Sequence, residues 1–410
     1  MPEFLNLLPP QEALNELLSN LVGKTTNEEI DTVESLGRVT AEGVISDISM
    51  PSFPRSTVDG YAVRALDTYG ASEALPAFLG VVGEVLMGSE PKFSIEATEC
   101  GLIHTGGMLP QGSDAVVMVE YTQEVNEQEI EVMRSVAVGE NVLKVGEDVV
   151  KGQQVFSPGT CLRPAEIGGL MAIGITRVKV VSRPRVGILS TGDEVVPPDQ
   201  DVKPGQVRDI NSYTLSALVE ENGGVPIRYG ILSDKFEELK EGIAHALGEC
   251  DIVVVTDGSS VSVRDLTADV INQLGEPGVL VHGVNIRPGK PTILAVCDGK
   301  AVIGLSGNPV SGLVNAELFV VPVIAFLQGI QRSRPRPAVD AKLLLNLSSQ
   351  AGREDWIPVL LHQEGDIYQA EPIFGKSNLI FSLARADGLL RIPPDATGLN
   401  AGEVVQVRLL

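Results

Sequence analysis

The chain is 410 residues long and carries 31 Lys plus Arg against 54 Asp plus Glu, with four Cys, four His and 17 aromatic residues. That length predicts two to four domains with cores of their own, and a net charge of −23 excludes a bulk surface for nucleic acid or anionic lipid. No apolar run reaches the roughly 20 residues of a membrane span, and the opening Met-Pro-Glu-Phe lacks the basic region of a signal peptide, so the expectation is a soluble, cytoplasmic protein.

In chain order, Ala13, Leu14, Leu17, Leu18 and Leu21 recur at helical spacing and predict a first helix over 10–21, closed by Gly23. Residues 28–146 change to short β-type runs such as Ala115-Val116-Val117-Met118-Val119, punctuated by Gly, Pro and acidic turns. An apolar helix follows at 165–173. From residue 179 strands and helices alternate, which predicts a parallel, doubly wound sheet: strands at 185–190, 227–232 and 252–256, helices at 212–221, 235–247 and 266–274, then β segments at 290–296 and 301–305 and a long helix from Asn308 to Gly329. A linker with Arg332, Arg334, Pro335, Arg336 and Pro337 leads to about 70 residues of strand-like alternation, read as a small β-barrel or sandwich. Cys100, Cys161, Cys250 and Cys297 stand too far apart for a zinc motif and are expected to be buried thiols.

Gly304-Leu305-Ser306-Gly307-Asn308-Pro309-Val310-Ser311 is the sharpest local motif. Asn308 is placed as N-cap and Pro309 as first helical residue; the helix start either binds an anion or is simply well capped. Just upstream, Asn285-Ile286-Arg287-Pro288-Gly289-Lys290-Pro291 carries two cations with no acid between Val284 and Cys297. Proline and glycine exclude regular structure here, so Arg287 and Lys290 suit either an oxyanion or a solvated turn. Ser190-Thr191-Gly192-Asp193-Glu194 lies at a strand's carboxyl end, where α/β sheets bind ligands; its two acids suit either Mg²⁺ or a turn. The run from Asp257 through Ser259, Ser260, Ser262, Arg264 and Asp265 ends a third strand, and Asp59-Gly60 and Thr105-Gly106-Gly107 read as turns. His104, His245, His282 and His362 give no support to Ser-His-Asp hydrolysis.

Together and in order, these motifs resemble the molybdopterin molybdenumtransferase family, the MoeA type related to the carboxy-terminal domain of gephyrin. The matching runs are Asp59-Gly60-Tyr61-Ala62-Val63-Arg64, Gly146-Glu147-Asp148, Ser190 to Glu194, Pro288-Gly289-Lys290-Pro291, Gly307 to Ser311, Gly352-Arg353-Glu354, and Ser377 with Ala386-Asp387-Gly388. The resemblance implies an L-shaped homodimer of four-domain subunits combining α/β and β architecture. Its parts would be an elongated first domain (1–27 and 147–178), a β-rich inserted second domain (28–146), a doubly wound α/β third domain similar to the molybdopterin adenylyltransferase (MogA) fold (179–329), and a β-barrel fourth (336–410).

The reaction it implies inserts molybdate into the dithiolene of adenylylated molybdopterin and releases AMP, with Mg²⁺. The active cleft would join the third domain of one subunit to the second of the other. The residues carried over are Asp59, Asp148, Glu194 and Lys290 for catalysis. Thr105, Ser262, Asp265, Arg287, Gly307, Asn308, Pro309, Ser311, Arg353 and Ser377 would bind substrate, and Glu194, Asp234 and Asp265 would bind the metal. Molybdopterin adenylyltransferase or molybdoenzyme apoproteins are the implied protein partners, with no nucleic acid or membrane. This chain departs from the pattern at Ser259, Ser260 and Arg264, where the family has glycine, at Arg287, where it has lysine, at Ser306, where it has proline, and at Leu143 and Pro358, where it commonly has arginine. Those changes also admit a divergent paralogue that binds a molybdopterin nucleotide or oxyanion with little or no turnover, or a dimeric scaffold.

Overall fold

The computed structural model describes residues 7–23, 26–257, 261–331 and 335–410, with the side chains of 257 and 261–265 left out. Ser259, Ser260, Arg332 and Arg334 therefore lie outside the described residues. The chain forms two compact units: Met1–Ala41, Pro158–Pro164 and Arg177–Leu410 make one, and Glu42–Ser157 with Ala165–Thr176 make the other.

The second of these is built on a six-stranded sheet in the order Ala115–Met118, Gly60–Val63, Glu99–Ile103, Ala77–Val85, Glu129–Val132, Thr122–Asn126. All neighbours are antiparallel except Ala77–Val85 and Glu99–Ile103. Gly60–Val63 is central and wholly buried, and alternate residues of these strands, among them Tyr61, Val63, Val117 and Ile130, fill one core. At Gly60 the packing admits no side chain, since a Cβ would stand 1.9 Å from the Val117 carbonyl oxygen.

The larger unit contains an α/β sheet in the order Val225–Leu232, Arg185–Thr191, Ile252–Asp257, Lys300–Ser306, Ile293–Cys297, Pro277–His282. The first four strands are parallel to one another, and Ile293–Cys297 runs antiparallel to both of its neighbours, so the sheet is mixed, not parallel throughout. The reason is local. Cys297 pairs with Lys300 across Asp298-Gly299, whose φ values of 50° and 85° make a two-residue hairpin turn, and so short a loop cannot carry a parallel crossover.

Ile252 and Val254 face one core with Phe319, Val323 and Leu215, while Val253 and Val255 face another with Leu239 and Ile243. Both faces of the sheet are therefore covered by helices, as continuous apolar strands require. Ala13 and Leu17 of the first helix, Pro10–Ser19, join the first core. The helix after the third strand begins at Val261, five residues before the expected start at Leu266.

The long helix is interrupted. Pro309–Asn315 and Val321–Leu327 are α-helical and Ala316–Val320 between them is π-helical. Pro322 has no N–H to offer the preceding turn, and the Val321 N–H reaches back five residues to the Ala316 carbonyl, the widened pattern of a π segment. By length and composition Pro309–Leu327 is apolar enough to cross a membrane, which corrects the expectation that no such stretch exists; 67% of its apolar window is buried inside the protein, as in a core helix.

Residues 338–409 form a closed five-stranded barrel: Glu354–Glu364, Ile367–Pro372, Ala338–Leu343, Val404–Leu409 and Gly388–Ile392, the last pairing back with the first. Its interior holds Leu343, Val359, Leu390, Ile392 and Val407. One short strand of the α/β part, Ile286–Arg287, adds to the barrel sheet with Ile286 opposite Glu354 and Arg287 opposite Asp355. Among the described residues no disulfide forms: Cys100, Cys250 and Cys297 are buried thiols, as expected, and Cys161 is half-buried instead. Burial pushes Cys100 up to about 12 and Cys297 to about 11.

Gly60→Ala is expected to cost about 3 kcal/mol, because the added carbon meets backbone. Gly70→Ala, at φ 84° but in open space, should cost about 1 kcal/mol. Thermal melts of the two variants check the ranking, and equal losses would contradict it.

Candidate functional site

The site is organised by the loop between Val284 and Thr292. Its ends are tied by the Val284 N–H to the Lys290 carbonyl at 2.9 Å. One flank is held by the Asn285 N–H, which donates to the Leu8 carbonyl at 2.8 Å. The other flank is held by the Glu354 N–H, which donates to the Asn285 carbonyl at 3.1 Å. Inside the loop the Thr292 hydroxyl donates to the Gly289 carbonyl at 2.8 Å, and so does Asn315 Nδ2 at 2.8 Å. Gly289 has φ 97°, and a Cβ there would meet Asn315 Nδ2 at 2.1 Å, so glycine is required twice over.

The two cations of the loop differ in their surroundings. Lys290 is exposed and belongs to no ion pair among the described residues. Arg287 Nη1 stands 3.9 Å from Asp355 Oδ2. The acid-free stretch thus receives an acid from the barrel, a contact that linear sequence could not supply. Asp355 is only 2% exposed at its side chain and is gripped by Arg353 through Nε to Oδ1 at 2.6 Å and Nη2 to Oδ2 at 2.9 Å. This bidentate pair is what permits a buried carboxylate.

Arg287, Lys290, Arg353 and Lys376, with Ser306, Asn308, Ser311 and Ser377, line a cleft of about 890 Å³. Four cations against one acid, with hydroxyls between them, suit an oxyanion. The barrel side is fastened to the helix start by the Val310 N–H, which donates to the Ser377 carbonyl at 3.0 Å.

A second cleft of about 770 Å³ meets the first at Asn308 and Asn378 and is lined by Ser190, Thr191, Glu194, Asp209, Asn211, Thr256, Gly307 and Pro309. It opens at the carboxyl ends of adjacent parallel strands, the usual ligand position in such sheets. Asp209 is buried and structural: its carboxylate accepts from Ser190 Oγ at 3.0 Å, the Ser212 N–H at 3.1 Å and Ser212 Oγ at 2.5 Å. Asn211 Nδ2 donates to the Gly307 carbonyl at 2.9 Å and so places the turn before Pro309. Asn308 occupies the N-cap position, but its side chain makes no capping bond; the hydroxyl of Ser306 accepts the Asn308 N–H at 3.3 Å, and the Asn308 side chain is left for the clefts.

Acids gather beside this second cleft. Gly192, at φ 130°, lets the Glu194 carboxylate fold close to the backbone, where a Cβ would stand 2.7 Å from Glu194 Oε2. The Asp234 carboxyl is held above its ordinary value, first by burial and then by the charges of Asp193 and Glu194, against a hydrogen bond from Thr191. Its Oδ1 is buried without a hydrogen-bond partner among the described residues. Among the described residues no three acid, His or Cys side chains converge tightly enough to hold a metal alone, and the side chain of Asp265 lies outside the described residues, as does that of Ser262. The donor chemistry nevertheless fits a hard cation: oxygen ligands, excess negative charge and an unpartnered buried oxygen.

Three predicted residues, Asp59, Thr105 and Asp148, belong to the other compact unit. There the Thr105 N–H donates to Asp59 Oδ1 at 2.8 Å, and His104 places Nδ1 3.7 Å from the same oxygen and Nε2 3.0 Å from Glu84 Oε1. Asp59 and Thr105 are thus brought together. Asp148 lies exposed on a turn, its N–H bonded to the Met50 carbonyl at 3.0 Å, and its carboxylate joins neither of them. Sequence reasoning missed Asp355, Lys376, Asn378, Asn211 and Asn315. For Asn315 a signal existed: Asn308, Ser311 and Asn315 follow the i, i+3, i+7 spacing of one helix face.

The raised Asp234 carboxyl has a consequence for stability. Its ionised form costs stability above its raised pKa, and the cost vanishes below the ordinary value of 3.8, where folded and unfolded chains both hold the proton. Asp234→Asn should therefore raise the melting temperature at pH 7 without divalent cations and lose that gain by about pH 3. The same gain at both pH values would contradict this assignment.

Comparisons with known proteins agree along the chain. Residues 8–174 match the MoeA N-terminal region (domain I and II), residues 187–325 the probable molybdopterin binding domain, and residues 340–410 the MoeA C-terminal region (domain IV). The molybdopterin molybdenumtransferase of Nostoc sp. is 34% identical over 99% of this chain and 95% of its own; that of Haemophilus influenzae is 31% identical over 98% of each. The crystal structure of the molybdopterin biosynthesis moeA protein of Pyrococcus horikoshii OT3 superposes with a TM-score of 0.85 at 35% identity, covering 99% of this chain and 100% of that one. The chain therefore belongs to the molybdopterin molybdenumtransferase family, of the MoeA type.

Proposed function

We propose that this chain performs the metal-insertion step of molybdenum cofactor biosynthesis, placing molybdate in the dithiolene of adenylylated molybdopterin and releasing AMP with Mg²⁺ present. The observation that supports this most is the pair of clefts of opposite character that share Asn308 and Asn378. A substrate with an oxyanion to be received and a phosphoanhydride to be broken needs both kinds of surface side by side.

On this reading Lys290, Arg287 and Arg353 neutralise molybdate and the pterin phosphate, and Ser311, Ser377 and the turn Gly307-Asn308-Pro309 orient them by hydrogen bonds. Glu194 and Asp234, with Asp265, would hold Mg²⁺, which supplies charge neutralisation on the phosphoanhydride. A water oxygen replaces the bridging oxygen on phosphorus as that P–O bond breaks, so AMP and the pterin phosphate part as separate anions. Asp59, oriented by the Thr105 N–H, and Asp148 act in catalysis from the other subunit of the dimer, and Ser262 binds substrate. The chain acts as a cytoplasmic homodimer.

Purified protein incubated with adenylylated molybdopterin, molybdate and MgCl₂ should release AMP, measured by chromatography, only when all three are present. Lys290→Ala should raise the KM for molybdate about tenfold, and Glu194→Gln should lower kcat about a hundredfold. Absence of AMP together with absence of calorimetric binding of the nucleotide would overturn the proposal.

A further inference from the structure

We infer that Asn315 is a positioning residue for Lys290: its buried carboxamide fixes the Gly289 peptide and thereby the place where Lys290 presents its charge. The inference rests on the reading of Lys290 as an oxyanion ligand. Asn315 is 0% exposed, and its Nδ2 donates both to the Gly289 carbonyl at 2.8 Å and to Thr292 Oγ1 at 2.5 Å. The Thr292 hydroxyl spends its own proton on the same Gly289 carbonyl at 2.8 Å. The three groups close a triangle in which each donor has an acceptor, and the peptide at its apex leads directly into Lys290.

Two observations separate this from ordinary core filling. The remaining carboxamide oxygen, Asn315 Oδ1, is buried without any partner among the described residues, a cost that an apolar side chain of similar volume would avoid. The amide is also fitted to a glycine at φ 97° whose missing Cβ would stand 2.1 Å from Nδ2, so helix and loop are shaped to one another. Asn315 is the last residue before the π segment Ala316–Val320. Two residues on, Glu317 pairs with both Arg336 and Arg408, which fastens this stretch of helix to the barrel end of the chain. The helix is thereby held against rotation at the turn where Asn315 meets the loop.

The test is a double-mutant cycle read by calorimetric titration with sodium molybdate. Asn315→Ala should raise the Kd for molybdate about tenfold in the otherwise native chain and leave it nearly unchanged in a Lys290→Ala background, because Asn315 acts through Lys290. Thr292→Val, which removes the second corner of the triangle with little change of volume, should raise it about threefold and keeps the test open if Asn315→Ala does not fold. Val323→Ala, a buried change on the same helix away from the loop, should lower the melting temperature without moving the Kd. Equal effects of Asn315→Ala with and without Lys290, or an unchanged Kd for both loop variants, would overturn the positioning role alone. An unchanged Kd for Lys290→Ala would overturn the underlying site reading as well.

Discussion

The anchoring of the peptide from Val284 to Thr292 is the constraint on which the site depends. This segment carries two prolines and a left-handed glycine and cannot supply its own ladder of hydrogen bonds. Beyond its internal bonds its partners come from elsewhere in the chain: the Leu8 carbonyl on one side, the Glu354 N–H of the barrel on the other, and the Asn315 carboxamide from beneath. Cations held this way need no reorganisation when an anion arrives, and that is the physical content of a preorganised electrostatic site. The barrel is part of this arrangement, since Ile286–Arg287 is itself a strand of the barrel sheet.

Local charge, more than total charge, decides what each cleft accepts. A chain of net charge −23 would repel anions at long range, yet screening confines that effect to about 8–10 Å at ordinary ionic strength. Within the first cleft Arg353 spends its charge on Asp355 and Arg287 leans toward the same carboxylate, while Lys290 and Lys376 pair with no carboxylate among the described residues. Beside the second, Asp193, Glu194 and Asp234 crowd one another, and with burial this holds the Asp234 carboxyl above its ordinary value. The turn at Asn308 divides these two environments, and its side chain, released from capping, borders both.

Much of this was legible in the sequence, and the parts that were not share a physical cause. Alternating strand and helix patterns located the α/β sheet because buried parallel strands are continuous apolar runs, as in Ile252–Val255. The antiparallel pairing of 293–297 with 300–306 turns on Asp298-Gly299, a dipeptide that between two apolar runs is a strong local hairpin signal against the parallel pattern of the preceding strands. Lys290, Arg287, Glu194 and Asn308 were found from turn chemistry and from the family resemblance. Asp355 and Asn315 were not, because their importance lies in contacts across 68 and 26 residues of chain, from Arg287 to Asp355 and from Gly289 to Asn315. A long apolar helix likewise gives no hint from composition whether it crosses a membrane or fills a core; only its burial against the sheet decides.

The central claim is that the cleft between Lys290 and Arg353 receives the oxyanion. The most direct measurement is an anomalous difference map from a crystal of the protein soaked in tungstate, a heavier tetrahedral oxyanion of the same charge as molybdate. The account predicts a peak whose oxygens lie within hydrogen-bond reach of Lys290 and Arg353. A peak elsewhere on the molecule, with that cleft filled by water, would contradict it.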